Sequence, residues 1–128
     1  MKYLLDTHAF IWIVEDDQNL SDKVKKIFLN SSNDIYLSAA SLWEIAIKIS
    51  LKKLKLENSL SAFIDKHAVE NNILILDVQS NHVMPLERLP FHHKDPFDRL
   101  LVCQCIQEKM NILSRDKIFD KYGIKRIW

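Results

Sequence analysis

The chain has 128 residues, 48% apolar and 27% charged, with a formal net charge of +1. At roughly 100–200 residues per domain this is one domain, 1–128, which can bury about two-thirds of its unfolded surface without covalent staples. The apolar fraction excludes global disorder, and no apolar run nears the roughly 20 residues of a membrane span. Asp6 interrupts any signal-peptide core. Cys103 and Cys105 lie two apart in an apolar helical stretch, where they do not face each other. They build no framework and are too few for a metal site. A soluble, reducing, cytoplasmic setting is expected. The single glycine, Gly123, excludes Walker A and dinucleotide loops. Any phosphate must be met by side chains or metal ions.

Lys2–Leu5 is an apolar run closed by Asp6, the length of a buried strand. Ala9–Val14 predicts a short helix, ending at the acids Glu15–Asp17. Ser21 caps a helix to about Asn30, with Val24, Ile27 and Phe28 at helical spacing. Asn30–Asp34 is a loop by composition, and Ile35–Ser38 a second strand. Ala39–Leu51 predicts a helix that is apolar around most of its circumference, with Ser41, Glu44, Lys48 and Lys52 as a polar stripe. After the basic connection Lys52–Asn58, Ser59 opens a helix to about Asn71, and Leu74–Asp77 is a third strand. Ser80–Leu86 predicts a short helix ended by Pro85, followed by a loop over Leu89–Lys94. Asp95 and Pro96 are a strong helix start, an N-cap acceptor with proline at the first helical position, and that helix runs to about Lys109. Asn111–Ser114 is a fourth strand, Asp116 caps a short helix that Gly123 stops, and Ile124–Ile127 is a fifth strand. The alternation predicts an α/β fold, mostly parallel, with helices on both faces of the sheet.

Open parallel sheets bind ligands outside the carboxyl ends of their strands. Asp6, Thr7 and His8 follow the first strand; Ser38, Ser41 and Glu44 follow the second; Ser114, Arg115 and Asp116 follow the fourth. Asp95 and Asp98 open the helix that leads into the fourth strand, on the same side of it. Two carboxylates about 5 Å apart repel by roughly 3 kcal/mol at an effective dielectric of 20. Three or four must hold protons or a cation. Hard oxygen ligands suit Mg²⁺ or Mn²⁺, which can activate water in phosphodiester cleavage. Each acid also has a local explanation. Asp6, Asp95 and Asp116 can cap helices, which for Asp95 is the leading view. Glu44 can pair with Lys48, and Asp98 suits the helix dipole. What those explanations leave to coincidence is the joint placement.

Leu4–Phe10 (LLDTHAF) and Ser38–Ile45 (SAASLWEI), followed by Leu89–Leu101 (LPFHHKDPFDRLL) and Leu113–Asp116 (LSRD), resemble the successive segments of PIN-domain ribonucleases, most closely VapC-type toxins of bacterial type II toxin–antitoxin pairs. The resemblance runs from Tyr3 to Trp128. It implies a three-layer α/β/α fold with a five-stranded, mostly parallel sheet, and a Mg²⁺- or Mn²⁺-dependent endoribonuclease. The family's acidic quartet falls on Asp6, Glu44, Asp98 and Asp116, as metal-holding catalytic residues, with hydroxyls at Thr7 and Ser114 in support. Ser114 stands where threonine is common. Asp95 belongs to the local pattern of the subgroup, its role secondary to capping. The resemblance also implies an RNA substrate, a homodimer, and a cognate antitoxin whose segment occupies the active groove.

His8, His92 and His93 lie near the expected site and could contact phosphate, steer metal ligands or bond backbone groups. Lys48, Lys52, Lys53, Lys55 and Arg99 are candidate phosphate contacts, a solvated basic surface being the simpler account of the lysines. Trp12 and Trp43 are expected in the core or an interface rather than as base-stacking platforms. A phosphatase of the haloacid-dehalogenase kind needs a second acid two residues after the first, where this chain has His8. A non-catalytic PIN-fold module that binds RNA or protein is the remaining alternative.

Overall fold

The computed structural model describes all 128 residues. β1 (Lys2–Leu5), β2 (Asp34–Ser38), β3 (Leu74–Leu76), β4 (Asn111–Leu113) and β5 (Arg126–Ile127) form one sheet in the order β3-β2-β1-β4-β5. Every pairing is parallel, so the expected mostly parallel sheet is parallel throughout. Tyr3 pairs with Ile35 on one side and Asn111 on the other, which sets β1 in the centre. The strand order reverses between β1 and β4. Such a switch point opens a crevice at the carboxyl ends of the two strands.

Alternation along the central strand divides the core. Tyr3 and Leu5 pack on one face with Ala9 and Phe10 of α1 (Thr7–Glu15), Val24 of α2 (Asp22–Leu29) and Ile45 of α3 (Ala39–Ser50). Phe63 and Ile64 of α4 (Leu60–His67) lie against that cluster. Leu4 points the other way, to Ile112 and to Leu101, Val102 and Cys105 of α6 (Pro96–Glu108). The small helix α5 (Ser80–Val83) docks on α6. Burial on both faces is why the strands are apolar runs rather than alternating patterns.

Side-chain caps set most helix starts where expected. Ser21, Ser38 and Ser59 accept from Val24, Ala40 and Ala62 N–H, and Asp95 accepts from Phe97 N–H at 2.8 Å. Several boundaries differ from expectation. α1 begins at Thr7 rather than Ala9, because Asp6 itself is the cap. The helix opened by Ser59 stops at His67; Ala68 and Ile73 are both buried, and the chain between them tightens into a 3₁₀ turn closed by left-handed Asn72 (φ 58°). Pro85 does not end a helix but sits in the first turn of a 3₁₀ segment, Met84–Glu87. β5 is also shorter than expected, two residues in register with Ile112 and Leu113. No helix is long and apolar enough to cross a membrane.

Candidate active site

Three of the expected residues hang on the switch point. Asp6 directly follows β1 and is 7% exposed. Its Oδ1 accepts the Ala9 N–H at 2.7 Å, and its Oδ2 accepts the hydroxyl of buried Ser114, which follows β4. The same Ser114 oxygen accepts the Asp116 N–H at 3.0 Å. One hydroxyl therefore ties together the ends of both central strands. Asp116 Oδ1 in turn accepts from Ile118 N–H at 2.9 Å, capping the 3₁₀ segment Lys117–Tyr122.

Glu44 reaches the crevice from the second turn of α3. Thr7 Oγ1 lies 2.8 Å from Glu44 Oε1 and 3.0 Å from Ser41 Oγ. With one proton to give, Thr7 donates to the carboxylate and accepts from Ser41. Glu44 Oε2 meets Lys48 at 3.3 Å, the pairing that its helical spacing suggested. The local roles and the convergence hold together: the capping acids do cap, and they do so at one edge of the sheet.

Asp98 is the exception. Half-buried in the first turn of α6, it receives no protein hydrogen bond, whereas Asp6, Glu44, Asp95 and Asp116 all do. Burial raises its carboxyl to about 7, the negative charges of Asp95, Asp6 and Glu44 add to the rise, and His93 opposes it. Asp6 is raised too, by burial first, with Asp116 adding a smaller push. These charges are close enough to feel one another. An acid ring with one carboxylate left unpartnered is costly unless a cation fills it. Ligand atoms of His93, Asp98 and Asp116 all lie within 4.8 Å of one another, a spacing one ion can bridge. Hard carboxylate oxygens, several already oriented by other donors, fit Mg²⁺ or Mn²⁺.

His93 was one of three histidines without distinction in the sequence, and Tyr122 was not singled out at all. In the fold they differ. His8 is exposed beside Trp12, and exposed His92 rests on the Tyr122 ring edge, but His93 is buried, with Nε2 2.7 Å from Asp116 Oδ2. Nothing local marks His93, because its partners are 23 and 29 residues away. Arg99 departs from expectation. Its buried guanidinium donates to the carbonyls of Leu86, Leu89 and Pro90 and stacks 3.7 Å from the Phe91 ring, so it fixes the loop before α6 and offers nothing to a phosphate. Lys48 and Lys53, with Lys94, line a recess beside Glu44 and Asp95, whereas Lys55 faces a separate groove between α1 and α4. Trp12 packs on Trp128, while Trp43 is 62% exposed against Phe97 and is not a core residue.

The sequence model of the PIN domain family matches residues 3–125, nearly the whole chain. The chain is a PIN-domain protein. No curated protein matches it in sequence. Among solved structures it is similar to VapBC2 from Rickettsia felis, determined with a promoter DNA fragment, at a TM-score of 0.73 and 16% identity over 99% of this chain and 98% of that one. FitAcB from Neisseria gonorrhoeae (TM-score 0.68, 17% identity, 98% and 96% covered) and VapBC-1 from nontypeable Haemophilus influenzae (0.68, 13%, 99% and 97%) share the fold. PIN domains are generally nucleases that use a divalent metal.

Proposed function

We propose that this PIN domain, acting as one unit over 1–128, is a Mg²⁺- or Mn²⁺-dependent endoribonuclease of the VapC type, the toxin of a bacterial toxin–antitoxin pair. The observation that carries the proposal is Asp98, a carboxylate raised to about 7 by burial and three neighbouring acids and supplied with no protein donor. Asp6, Glu44, Asp98 and Asp116 would hold the ion, directly or through water. When bound, a divalent ion supplies Lewis acidity to the scissile phosphate and to the attacking water. The chain's own groups do the positioning. Ser114 and the Ala9 N–H fix the two oxygens of Asp6, and Thr7 and Lys48 fix those of Glu44. Asp95 caps α6 and so sets the turn from which Asp98 projects, its charge keeping Asp98 poor at holding its negative form alone. An RNA substrate is supported by the recess beside the acids, where Lys48, Lys53 and Lys94 can follow a phosphate backbone.

A cognate antitoxin is supported by the structural neighbours, which are toxin–antitoxin complexes. A homodimer is supported by the apolar surface on α3, α5 and the start of α6, where Trp43, Val83 and Val78 are exposed around Phe97 and Leu100. A cytoplasmic setting is part of the same proposal. The experiment is cleavage of total RNA by purified protein with Mg²⁺, with EDTA, and in Asp6→Asn and Asp98→Asn. Metal-dependent fragments lost in both variants are expected. Full cleavage in EDTA overturns the metal centre, and no cleavage under any metal makes the chain a binding module.

A further inference from the structure

His93 is only 6% exposed although it lies in the loop before α6, beside an open crevice. Both ring nitrogens are engaged. Nε2 is 2.7 Å from Asp116 Oδ2, and Nδ1 is 3.1 Å from the Tyr122 hydroxyl. The same hydroxyl oxygen accepts the His93 backbone N–H at 2.7 Å, and the two rings are stacked, 1° from parallel. Phe119 also packs on the imidazole, with ring centroids 4.6 Å apart. One imidazole thus joins the loop preceding α6 to the turn following β4.

The inventory of donors sets its tautomer. An ionised Asp116 only accepts, so Nε2 carries the proton and donates. Nδ1 then accepts the Tyr122 O–H, whose oxygen keeps a lone pair for the backbone N–H. With Ile118 N–H on Oδ1 and His93 on Oδ2, rotation of the Asp116 carboxylate is blocked and one lone pair on each oxygen stays free. One Asp116 oxygen lies within 4.8 Å of an Asp98 oxygen.

We propose that His93 and Tyr122 are a positioning pair that holds Asp116 at the angle at which it and Asp98 share a divalent cation. The proposal rests on the metal centre above for its consequence, though not for its geometry. His93 could itself become a ligand only by releasing Asp116 and moving its proton to Nδ1. Outer-shell partners that orient a ligand in this way tune affinity for the ion.

The test uses the full chain and Mn²⁺ alone. In the metal-free wild type, long-range ¹H–¹⁵N spectra are expected to show His93 as the Nε2–H tautomer. Tyr122→Phe, which keeps the stacked ring and loses the O–H, is expected to mix the tautomers and to weaken Mn²⁺ binding, read by EPR, at least threefold. His93→Phe is expected to weaken it about 10–100-fold, and His93→Gln, whose amide N–H can replace Nε2–H, to recover part of that loss. Thermal melts identify a variant that fails to fold; Tyr122→Phe carries the test if His93→Phe does. An Nδ1–H tautomer in the wild type, Mn²⁺ affinity in Tyr122→Phe within twofold of wild type, or direct ¹⁴N coupling of His93 to bound Mn²⁺ overturns the proposal. Failure of the wild type to bind Mn²⁺ while the Nε2–H tautomer persists sinks the metal centre and leaves the hold on Asp116 standing.

Discussion

Two buried histidines of this protein each meet a carboxylate, in different electrostatic surroundings. His82, on α5, places Nε2 2.9 Å from Glu108 Oε1 at the end of α6, while its Nδ1 accepts the Gln79 N–H at 3.0 Å. His93 places Nε2 2.7 Å from Asp116 Oδ2. The bonds are nearly the same; the surroundings are not. Three acids bear on Asp98, the group beside the His93 pair, whereas the His82 pair only fastens a four-residue helix to α6. A histidine–carboxylate contact therefore says little by itself. What makes one of them part of a site is a second carboxylate nearby that has no donor of its own.

The sharpest way to break this contrast is to neutralise that second carboxylate. Asp98→Asn should lower RNA cleavage by more than about 100-fold, beyond the range of outer-shell changes, and should weaken Mn²⁺ binding in parallel. Initial-rate assays on a labelled RNA, with Mn²⁺ titrations, check it. A variant that keeps both properties would place the chemistry elsewhere.

Changes at the closed pair should do the reverse. His82→Ala removes a fully buried ring together with its bonds to Gln79 and Glu108, a loss expected to cost about 1–3 kcal/mol. Urea denaturation should show that loss, with Mn²⁺ affinity and cleavage rate unchanged. If cleavage falls while stability holds, the two pairs are coupled through α6.

The contrast also explains what could be read from the sequence. Strand ends, caps and apolar runs are local signals, so the order of elements and the edge bearing Asp6, Glu44 and Asp116 were legible from residues a few positions apart. Asp98 was legible as an acid in a first turn, but its lack of a donor was not, since that depends on where Ser114, Thr7 and His93 spend their bonds. Arg99 misled for a related reason. Its charge suggested solvent and phosphate, while the three carbonyls that solvate it come from a loop whose path no local pattern specifies. The tightened turn after His67 escaped because Ala68 and Ile73 are pinned by the core rather than by helical spacing.

pH offers a gentler probe of the open site. Asp98 titrates near 7 in the folded chain and near 3.8 as a free side chain, so between those values the folded state binds more protons than the unfolded one. Stability of the metal-free protein should then be fully supported below about pH 4 at this group and fall as pH rises towards 7. Melting curves in EDTA should show the midpoint dropping by a few degrees between pH 5 and pH 8. Asp98→Asn should flatten that slope, and added Mg²⁺ should offset it by displacing the proton. His82→Ala leaves Asp98 in place and should keep the slope.

The smallest effect should come from exchanging charge for an amide at the closed pair. In Glu108→Gln the new Oε1 still accepts the Nε2–H of His82, and Nδ1 still accepts from Gln79, so every bond of the pair survives. Glu108 lies outside the cluster of His93, Asp98 and Asp116, and its side chain is 28% exposed to water. The expected cost is under about 1 kcal/mol by urea denaturation, the difference between a charge-assisted and a neutral hydrogen bond. The same exchange at the open pair, Asp116→Asn, keeps the His93 bond only by turning its amide NH2 towards the Ile118 N–H, so one of the two bonds is lost. There it removes a negative charge from the ring around Asp98, and Mn²⁺ affinity should drop with it. Unchanged Mn²⁺ affinity in Asp116→Asn would mean that Asp116, like Glu108, serves only to cap and fasten.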